Sequence, residues 1–446
     1  MPEISEREQW GSKLGFILAA AGSAIGLGSI WRFPYITGQY GGAAFVLVYT
    51  LLVFSIGISL MMAEIVIGRR GKLNAVGSFK ALGGGAWSIV GWLGVIAAFI
   101  ILSYYGVIGG WTIAYFIKSF TGLTSHSSSG QIAKTFEIFV SNAGSVIFYQ
   151  VLFMAATIFV VYNGVGGGIE RLCKICMPAL FILMLILILR SVTLPGASKG
   201  LSFFLKPDFT KITGEVLLAA LGQAFFSLSL GIGAMIIYGS YLPEDSNIPS
   251  SSAQICFLTL LISIMAGLII FPSLFAFNME PAAGAGLTFI TLPVVFAKMP
   301  AGFLWSALFF ILFFFAALTS SVSLLEVVAS YFIDNFGWKR SRATLVLGII
   351  ITIAGIPSAL SQGAVPINLF GKSFLDAADF FASNLLMPLG GFFISLFLGW
   401  KIHNIAKEEI NNLSENSFPL TKTWLFILQY IAPICIAIIF ISGLRS

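Results

Sequence analysis

Apolar residues run along this chain in long blocks, parted by short polar stretches. About 20 consecutive apolar residues suffice to cross a bilayer as a helix. The blocks at 13–36, 42–68, 88–120, 144–163, 168–190, 215–239, 253–277, 303–333, 343–358, 377–400 and 423–443 are therefore predicted as membrane helices α1 to α11. Two of them are interrupted at their centres, at Ser23-Ala24-Ile25-Gly26-Leu27-Gly28 and at Ser227-Leu228-Ser229-Leu230-Gly231-Ile232-Gly233. Glycine weakens a helix interior by about 1 kcal/mol relative to alanine. In lipid a broken helix survives only where its freed backbone finds a partner or lines a cavity. The breaks lie five helices apart, and an odd spacing inverts one half against the other. The predicted fold is an all-α polytopic membrane protein with inverted five-helix repeats, α1–α5 (about 10–190) and α6–α10 (about 215–400), with α11 appended, in a single transmembrane domain over 1–446.

Composition agrees. The chain has 446 residues, 58% hydrophobic and 9% charged, with a mean hydropathy of +0.98. A soluble domain carries about 25% charged residues. The net charge of +6 does not point to nucleic acid, because the cations sit between the apolar blocks. The short loops Arg69-Arg70-Gly71-Lys72 and Lys339-Arg340-Ser341-Arg342 are the most basic, which sets them inside and the N-terminus in the cytoplasm. The loops 121–143 and 193–214 then face outward, and the Gly-, Ala- and Pro-rich 278–298 folds back as an outer cap. The first eight residues have no cationic leader pattern, so no signal peptide is expected.

Catalytic chemistry lacks material. His126 and His403 are the two histidines. Cys173-X-X-Cys176 has no second pair to complete a zinc site, and Cys173, Cys176, Cys256 and Cys435 read as packing residues. No nucleophile–base pair or carboxylate dyad stands out, so the chain is not read as an enzyme.

The breaks carry the chemistry instead. A half-helix N-terminus favours a carboxylate, and unwound carbonyls favour a cation. The first break offers carbonyls at Gly22, Ala24 and Ile25 and amides at Leu27 and Gly28. The second offers carbonyls at Phe226 and Ser227 and hydroxyls at Ser227 and Ser229. A kinked span without a ligand is the bland alternative for one break and a poor one for a matched pair. Ala316-Ala317-Leu318-Thr319-Ser320-Ser321 lies deep in α8. Its hydroxyls either bond back to their own helix or give a hard cation such as Na⁺ oxygen ligands. Intramembrane charges are costly, so Arg32, Glu64, Glu326, Asp376 and Asp379 are candidates, Glu64 and Glu326 also reading as buried anchors. Arg32 with an aspartate of α10, and Arg7 with Asp334, are candidate outer and inner gate pairs. Tyr105 and Phe226 would cover a bound molecule. The Gly168-to-Pro178 spacing in α5 is either a simple weakness or a stretch that unwinds to admit water.

These residues together resemble the neurotransmitter:sodium symporter family. The resemblance is carried by Arg7-Glu8-Gln9-Trp10-Gly11-Ser12, Gly22-Ser23-Ala24-Ile25-Gly26-Leu27-Gly28-Ser29-Ile30-Trp31-Arg32-Phe33-Pro34-Tyr35, Gln223-Ala224-Phe225-Phe226-Ser227-Leu228-Ser229-Leu230-Gly231, Leu318-Thr319-Ser320-Ser321 and the Gly168-to-Pro178 spacing. It spans nearly the whole chain and looks most like the short, eleven-helix bacterial amino-acid transporters. It implies Na⁺-coupled import of an amino acid by alternating access across a bacterial inner membrane, by a monomer or loose homodimer. One sodium site would fall on Gly22, Ile25, Ala316, Thr319 and Ser320. The other would fall on Ala24, Ser29, Ser227 and Thr259, completed by the substrate carboxylate. Substrate contacts would be Ala24, Leu27, Gly28, Tyr105, Phe226, Ser227, Ser229 and Ser320, with Ile101, Ile108, Ile232 and Leu324 around the side chain. The gates would be Arg32 with Asp379 outside and Arg7 with Asp334, near Trp10 and Tyr241, inside.

Gly26 stands where amine-transporting relatives carry aspartate, which favours a zwitterionic substrate with its own carboxylate; the apolar pocket favours a hydrophobic or aromatic side chain. Ser29 and Thr259 are shorter than the usual amide or carboxylate ligands, so one sodium site is expected to be weak. Chloride is a candidate co-ion at Tyr49, Gln223, Ser227 and Ser263, since Ser263 replaces the glutamate of some chloride-independent relatives; a weakened sodium site that needs no chloride is the counter-reading. Two rivals remain: a proton-coupled permease of the same plan, and a membrane receptor that binds an amino acid without moving it.

Overall fold

A computed structural model describes residues 7–124, 128–280, 286–411 and 418–444. His126 and the first six residues lie outside the described residues.

Among the described residues, nine continuous helices are long and apolar enough to cross a membrane. They are α2 (Ala43–Gly71), α3 (Gly85–Phe120), α4 (Ala143–Tyr162), α5 (Val165–Val192), α7 (Ile248–Ala276), α8 (Gly302–Phe336), α9 (Arg340–Leu360), α10 (Phe374–Lys401) and α11 (Thr421–Gly443). A bent pair, Lys13–Ala24 and Gly28–Gln39, meets at 55° and forms α1a and α1b. The remaining predicted span is split into α6a (Gly214–Ser227) and α6b (Ala234–Ser240), each too short to cross alone. The eleven expected helices are thus all present, and the two that carry Gly-X-Gly at their centres are the two that break.

Apolar side chains cover the outside as well as the inside. Phe159, Ile182, Leu189 and Ile434 are all exposed, as a lipid-facing surface requires. The centre is made by α8, 78% buried along its most apolar stretch, while α11 at the rim is 28% buried. Contacts of α8 with α3 are the most extensive in the molecule, and α1a packs between α5, α7 and α8. Small residues permit that closeness: a Cβ on Gly22 would stand 3.1 Å from Cβ of Thr319.

The Gly/Ala/Pro-rich stretch after α7 contributes the segment Leu287–Ala297. Its Phe289 packs edge-on against Trp31, Trp111 and Tyr115 of α1b and α3. A short helix, His403–Asn411, follows α10. Its Glu409 meets Arg69 of α2 at 2.6 Å, and both are buried.

Candidate functional site

The first break begins where α1a stops at Ala24. Ile25 leaves helical geometry (φ −87°, ψ 84°), and the Gly26 amide turns back to the Ala24 carbonyl at 3.2 Å. The Gly22 carbonyl therefore drops out of the helical ladder. Leu27 donates its freed N–H to the Tyr105 hydroxyl at 3.2 Å. The Ser23 carbonyl accepts from two hydroxyls, Ser320 of α8 at 3.0 Å and Ser229 of the second break at 3.1 Å.

The second break is forced by backbone chirality. Ser229, Gly231 and Gly233 all have left-handed φ, at 53°, 83° and 78°, a region costly for residues with a Cβ. A Cβ on Gly231 would also strike the Met387 carbonyl. The Gly231 N–H donates to Glu64 Oε1 at 2.7 Å. Glu64 is fully buried, and its other oxygen has no partner. The Gly28 carbonyl accepts from the Gln223 amide at 2.9 Å. Both breaks are thus held to each other, to α2 and to α8 by single hydrogen bonds across long sequence separations.

Between them lies a cavity of about 280 Å³. Its floor is Ala24, Gly26, Leu27 and Gly28; its polar groups are Tyr105, Ser229 and Ser320; its apolar walls are Ile101, Ile108, Phe226, Ile232 and Leu324. Of the twelve residues expected at the substrate, Ser227 alone is not in the lining. Its hydroxyl is turned away and shares a 2.7 Å hydrogen bond with Tyr49. Sequence reasoning missed Met387 and Trp111, which also line the cavity, and Ser23, whose carbonyl joins the three elements.

The oxygens proposed for cations divide into two groups. Around Gly22 and Ile25 on α1a, Thr319 lies with its hydroxyl 3.1 Å from the Ala316 and Phe315 carbonyls, and Ser320 reaches back to Ser23. Carbonyls and hydroxyls without sulfur or imidazole are a hard donor set, which fits an alkali ion. In the other group the Ser29 hydroxyl is buried without a partner. An orphaned oxygen in the interior is costly, and a cation beside Ser29 would relieve it. Thr259 fits less well, since its hydroxyl bonds to the Ile255 carbonyl at 2.9 Å and its carbonyl accepts from Ser263 at 3.0 Å. Ser263 also faces the Tyr49 hydroxyl.

At the end expected to face inward, Arg7 pairs with Asp334 at 2.9 Å and donates to Ser240 at 2.8 Å. Asp334 also accepts from the Asn74 amide at 2.6 Å. Trp10 seals the same end, its indole N–H on the Tyr238 carbonyl at 2.9 Å. Lys72 caps α2 beside it and donates to the Leu242 carbonyl at 2.7 Å; burial pulls its pKa down. Glu326 is fully buried against Arg340 at 2.6 Å and the Tyr241 hydroxyl.

The outer pair differs from expectation. Arg32 and Asp379 both line the cavity, but no ion pair joins them among the described residues. The Arg32 guanidinium sits 4.3 Å from the centre of the Phe226 ring, a cation–π contact. Asp379 accepts from Tyr104 at 2.7 Å and Ser383 at 2.9 Å. Each partner is held by another side chain, so the cavity is shut below and not bridged above. Asp376, at the start of α10, accepts from Ser373 at 2.6 Å.

Comparison with known proteins adds an independent line. The profile of the Sodium:neurotransmitter symporter family matches residues 7–137 and 131–446. An uncharacterized sodium-dependent transporter of Bacillus subtilis (strain 168), YhdH, is 43% identical over 437 residues, 97% of either chain. An uncharacterized sodium-dependent transporter of Haemophilus influenzae is 38% identical over 452 residues, 98% of either chain. The crystal structure of MhsT in complex with L-phenylalanine superposes with a TM-score of 0.90 at 46% identity, covering 98% of this chain and 100% of that one.

Proposed function

Because the chain belongs to the sodium:neurotransmitter symporter family, we propose that this sodium-dependent membrane transporter is a Na⁺-coupled symporter importing a neutral amino acid with a hydrophobic or aromatic side chain. The carrying observation is the cavity floor. Its polar contacts are backbone groups of the two breaks plus the hydroxyls of Tyr105, Ser229 and Ser320, and its walls are aliphatic and aromatic. The Leu27 amide and the Tyr105 hydroxyl suit a carboxylate, and the second break's carbonyls suit an ammonium. Gly26 adds no charge of its own, so the substrate brings both. The phenylalanine in MhsT is in keeping with this reading.

Sodium enters the cycle through Gly22, Ile25, Ala316, Thr319 and Ser320, which tie α1a to α8. An ion there favours whichever state brings the two helices together, which is how its gradient is coupled to the substrate. The second ion, at Ala24, Ser29, Ser227 and Thr259, is held weakly, because Thr259 and Ser227 are committed elsewhere. A Hill coefficient near one for Na⁺ is expected; a value clearly near two contradicts the weak site. The N-terminus is cytoplasmic, and Arg7–Asp334 is the inner gate.

Competition by a panel of amino acids for uptake of labelled leucine in proteoliposomes, with and without a Na⁺ gradient, tests the reading. Block by large apolar amino acids, dependence on Na⁺ and indifference to pH are expected. Uptake of amines alone refutes the substrate class; pH-driven uptake favours the proton-coupled permease, and binding without uptake favours a receptor.

A second reading concerns chloride. Tyr49, Gln223, Ser227 and Ser263 are all buried and none is a carboxylate, and the Tyr49 hydroxyl meets that of Ser227 at 2.7 Å. Such a donor set suits an anion that balances a neighbouring sodium. Replacing chloride by gluconate should reduce uptake; unchanged uptake removes the anion from the scheme.

A further inference from the structure

The inner end of α5 is held to the N-terminal segment by two carboxylates that play no part in the Arg7–Asp334 gate. Glu8 Oε2 accepts from the Val165 N–H at 2.6 Å. That amide is the first of α5 and has no partner within its helix, so Glu8 caps the helix from a segment 157 residues away. The other oxygen of Glu8 meets Arg340 at 2.9 Å. One turn into α5, Glu170 accepts from the Gly11 N–H at 2.7 Å and from the Ser12 hydroxyl at 2.9 Å. Glu170 is 3% exposed and also pairs with Lys174 of its own helix at 2.6 Å.

Glycines make room for both groups. A Cβ on Gly15 would run into the Glu170 carboxylate. A Cβ on Gly164, at φ 84°, would stand 3.1 Å from Glu8 Oε2. The first turn of α5, Val165–Glu170, is wide and loosely wound, with the amides of Gly168 and Ile169 sharing the Gly164 carbonyl at 3.2 and 3.1 Å. The two external contacts, at Val165 and Glu170, bracket this turn.

We propose that Glu8 and Glu170 form a second inner latch, which holds residues 8–12 and α1a against the first turns of α5 and must open before the path beneath the first break does. They are positioning residues and touch neither substrate nor ion. The latch and the Arg7–Asp334 pair pull in different directions. Arg7 binds α6b and α8, while Glu8, the next residue, binds α5 and α9. Freeing one leaves the N-terminal segment held by the other.

Cys173 reports the latch. It lies three residues past Glu170, fully buried, with Sγ 3.4 Å from the place a Cβ on Gly22 would take. Parting α1a from α5 exposes it. The inference rests on the transporter reading, but this readout needs no substrate.

The test uses the full chain in proteoliposomes with Cys176, Cys256 and Cys435 replaced by serine. Labelling of Cys173 by a cationic methanethiosulfonate is followed with and without Na⁺. Without Na⁺, Glu8→Ala, Glu170→Ala and Gly15→Ala should each label about fivefold faster or more, the range usual for coupled conformational equilibria. Saturating Na⁺ should pull the rates back toward that of the parent chain. Gly15→Ala in the Glu170→Ala background should add nothing, because the group it displaces is gone. A merely structural role would give additive effects and no rescue by Na⁺. Parent-like labelling of the three single variants, where Arg7→Ala does label faster, overturns the latch. Absence of Na⁺-driven uptake by the parent chain overturns the transporter reading and leaves the labelling result to judge the latch.

Discussion

A Cβ on Gly26 would stand 2.5 Å from the Tyr105 hydroxyl and 2.9 Å from the Ser320 side chain, both on the cavity wall. Gly26→Ala should therefore weaken binding of a labelled amino acid by about 10-fold or more, the usual scale of an overpacked site. Tyr105→Phe removes the hydroxyl that accepts from the Leu27 N–H and is proposed to meet the substrate carboxylate. A hydrogen bond to a charged group contributes about 1.5–3 kcal/mol, so a loss of about 10-fold or more in affinity is expected in equilibrium binding. Gly231→Ala is a different kind of change. Left-handed φ costs an alanine about 1–2 kcal/mol before the collision with the Met387 carbonyl is counted. It should lower the thermal midpoint of the detergent-solubilised protein, followed by tryptophan fluorescence, and an unchanged midpoint would argue against a left-handed turn at this position.

Broken α1 and α6 were legible because glycine and the length of an apolar block are local signals. Helix limits followed for the same reason, and only the ends shifted by a few residues. What joins the breaks was not legible. The Ser23 carbonyl receives hydroxyls from 206 and 297 residues away, and Glu64 reaches an amide 167 residues on. No periodicity in a sequence encodes such pairings. The partners of Arg32 were missed because a neighbouring aromatic ring competes with a carboxylate for a guanidinium, and only the packed geometry decides. On α8, Thr319→Val removes a hydroxyl proposed for sodium and keeps the β-branched shape. The Na⁺ concentration giving half-maximal uptake should rise about 10-fold, the effect of about 1.4 kcal/mol. An unshifted Na⁺ curve would take Thr319 out of the ion site.

The end of the bundle that carries the N-terminal segment is closed by Arg7–Asp334 and Trp10, with Glu8 and Glu170 joining that segment to α5, while Arg32 and Asp379 line the other end of the cavity without an ion pair between them. An arrangement shut on one face and unbridged on the other is what the proposed alternating cycle requires of one of its states. Ions and substrate can drive that cycle only through unequal affinity for its states. Loss of the inner pair should tip the balance. Asp334→Ala should lower substrate affinity measured without Na⁺ more than with it, since Na⁺ restores the outward-facing population. The most direct check is concentrative uptake of labelled leucine or phenylalanine by the purified protein in liposomes. An inward Na⁺ gradient should raise the internal amino acid above the external level, and reversing the gradient should drain it; equal levels under both gradients would contradict the account.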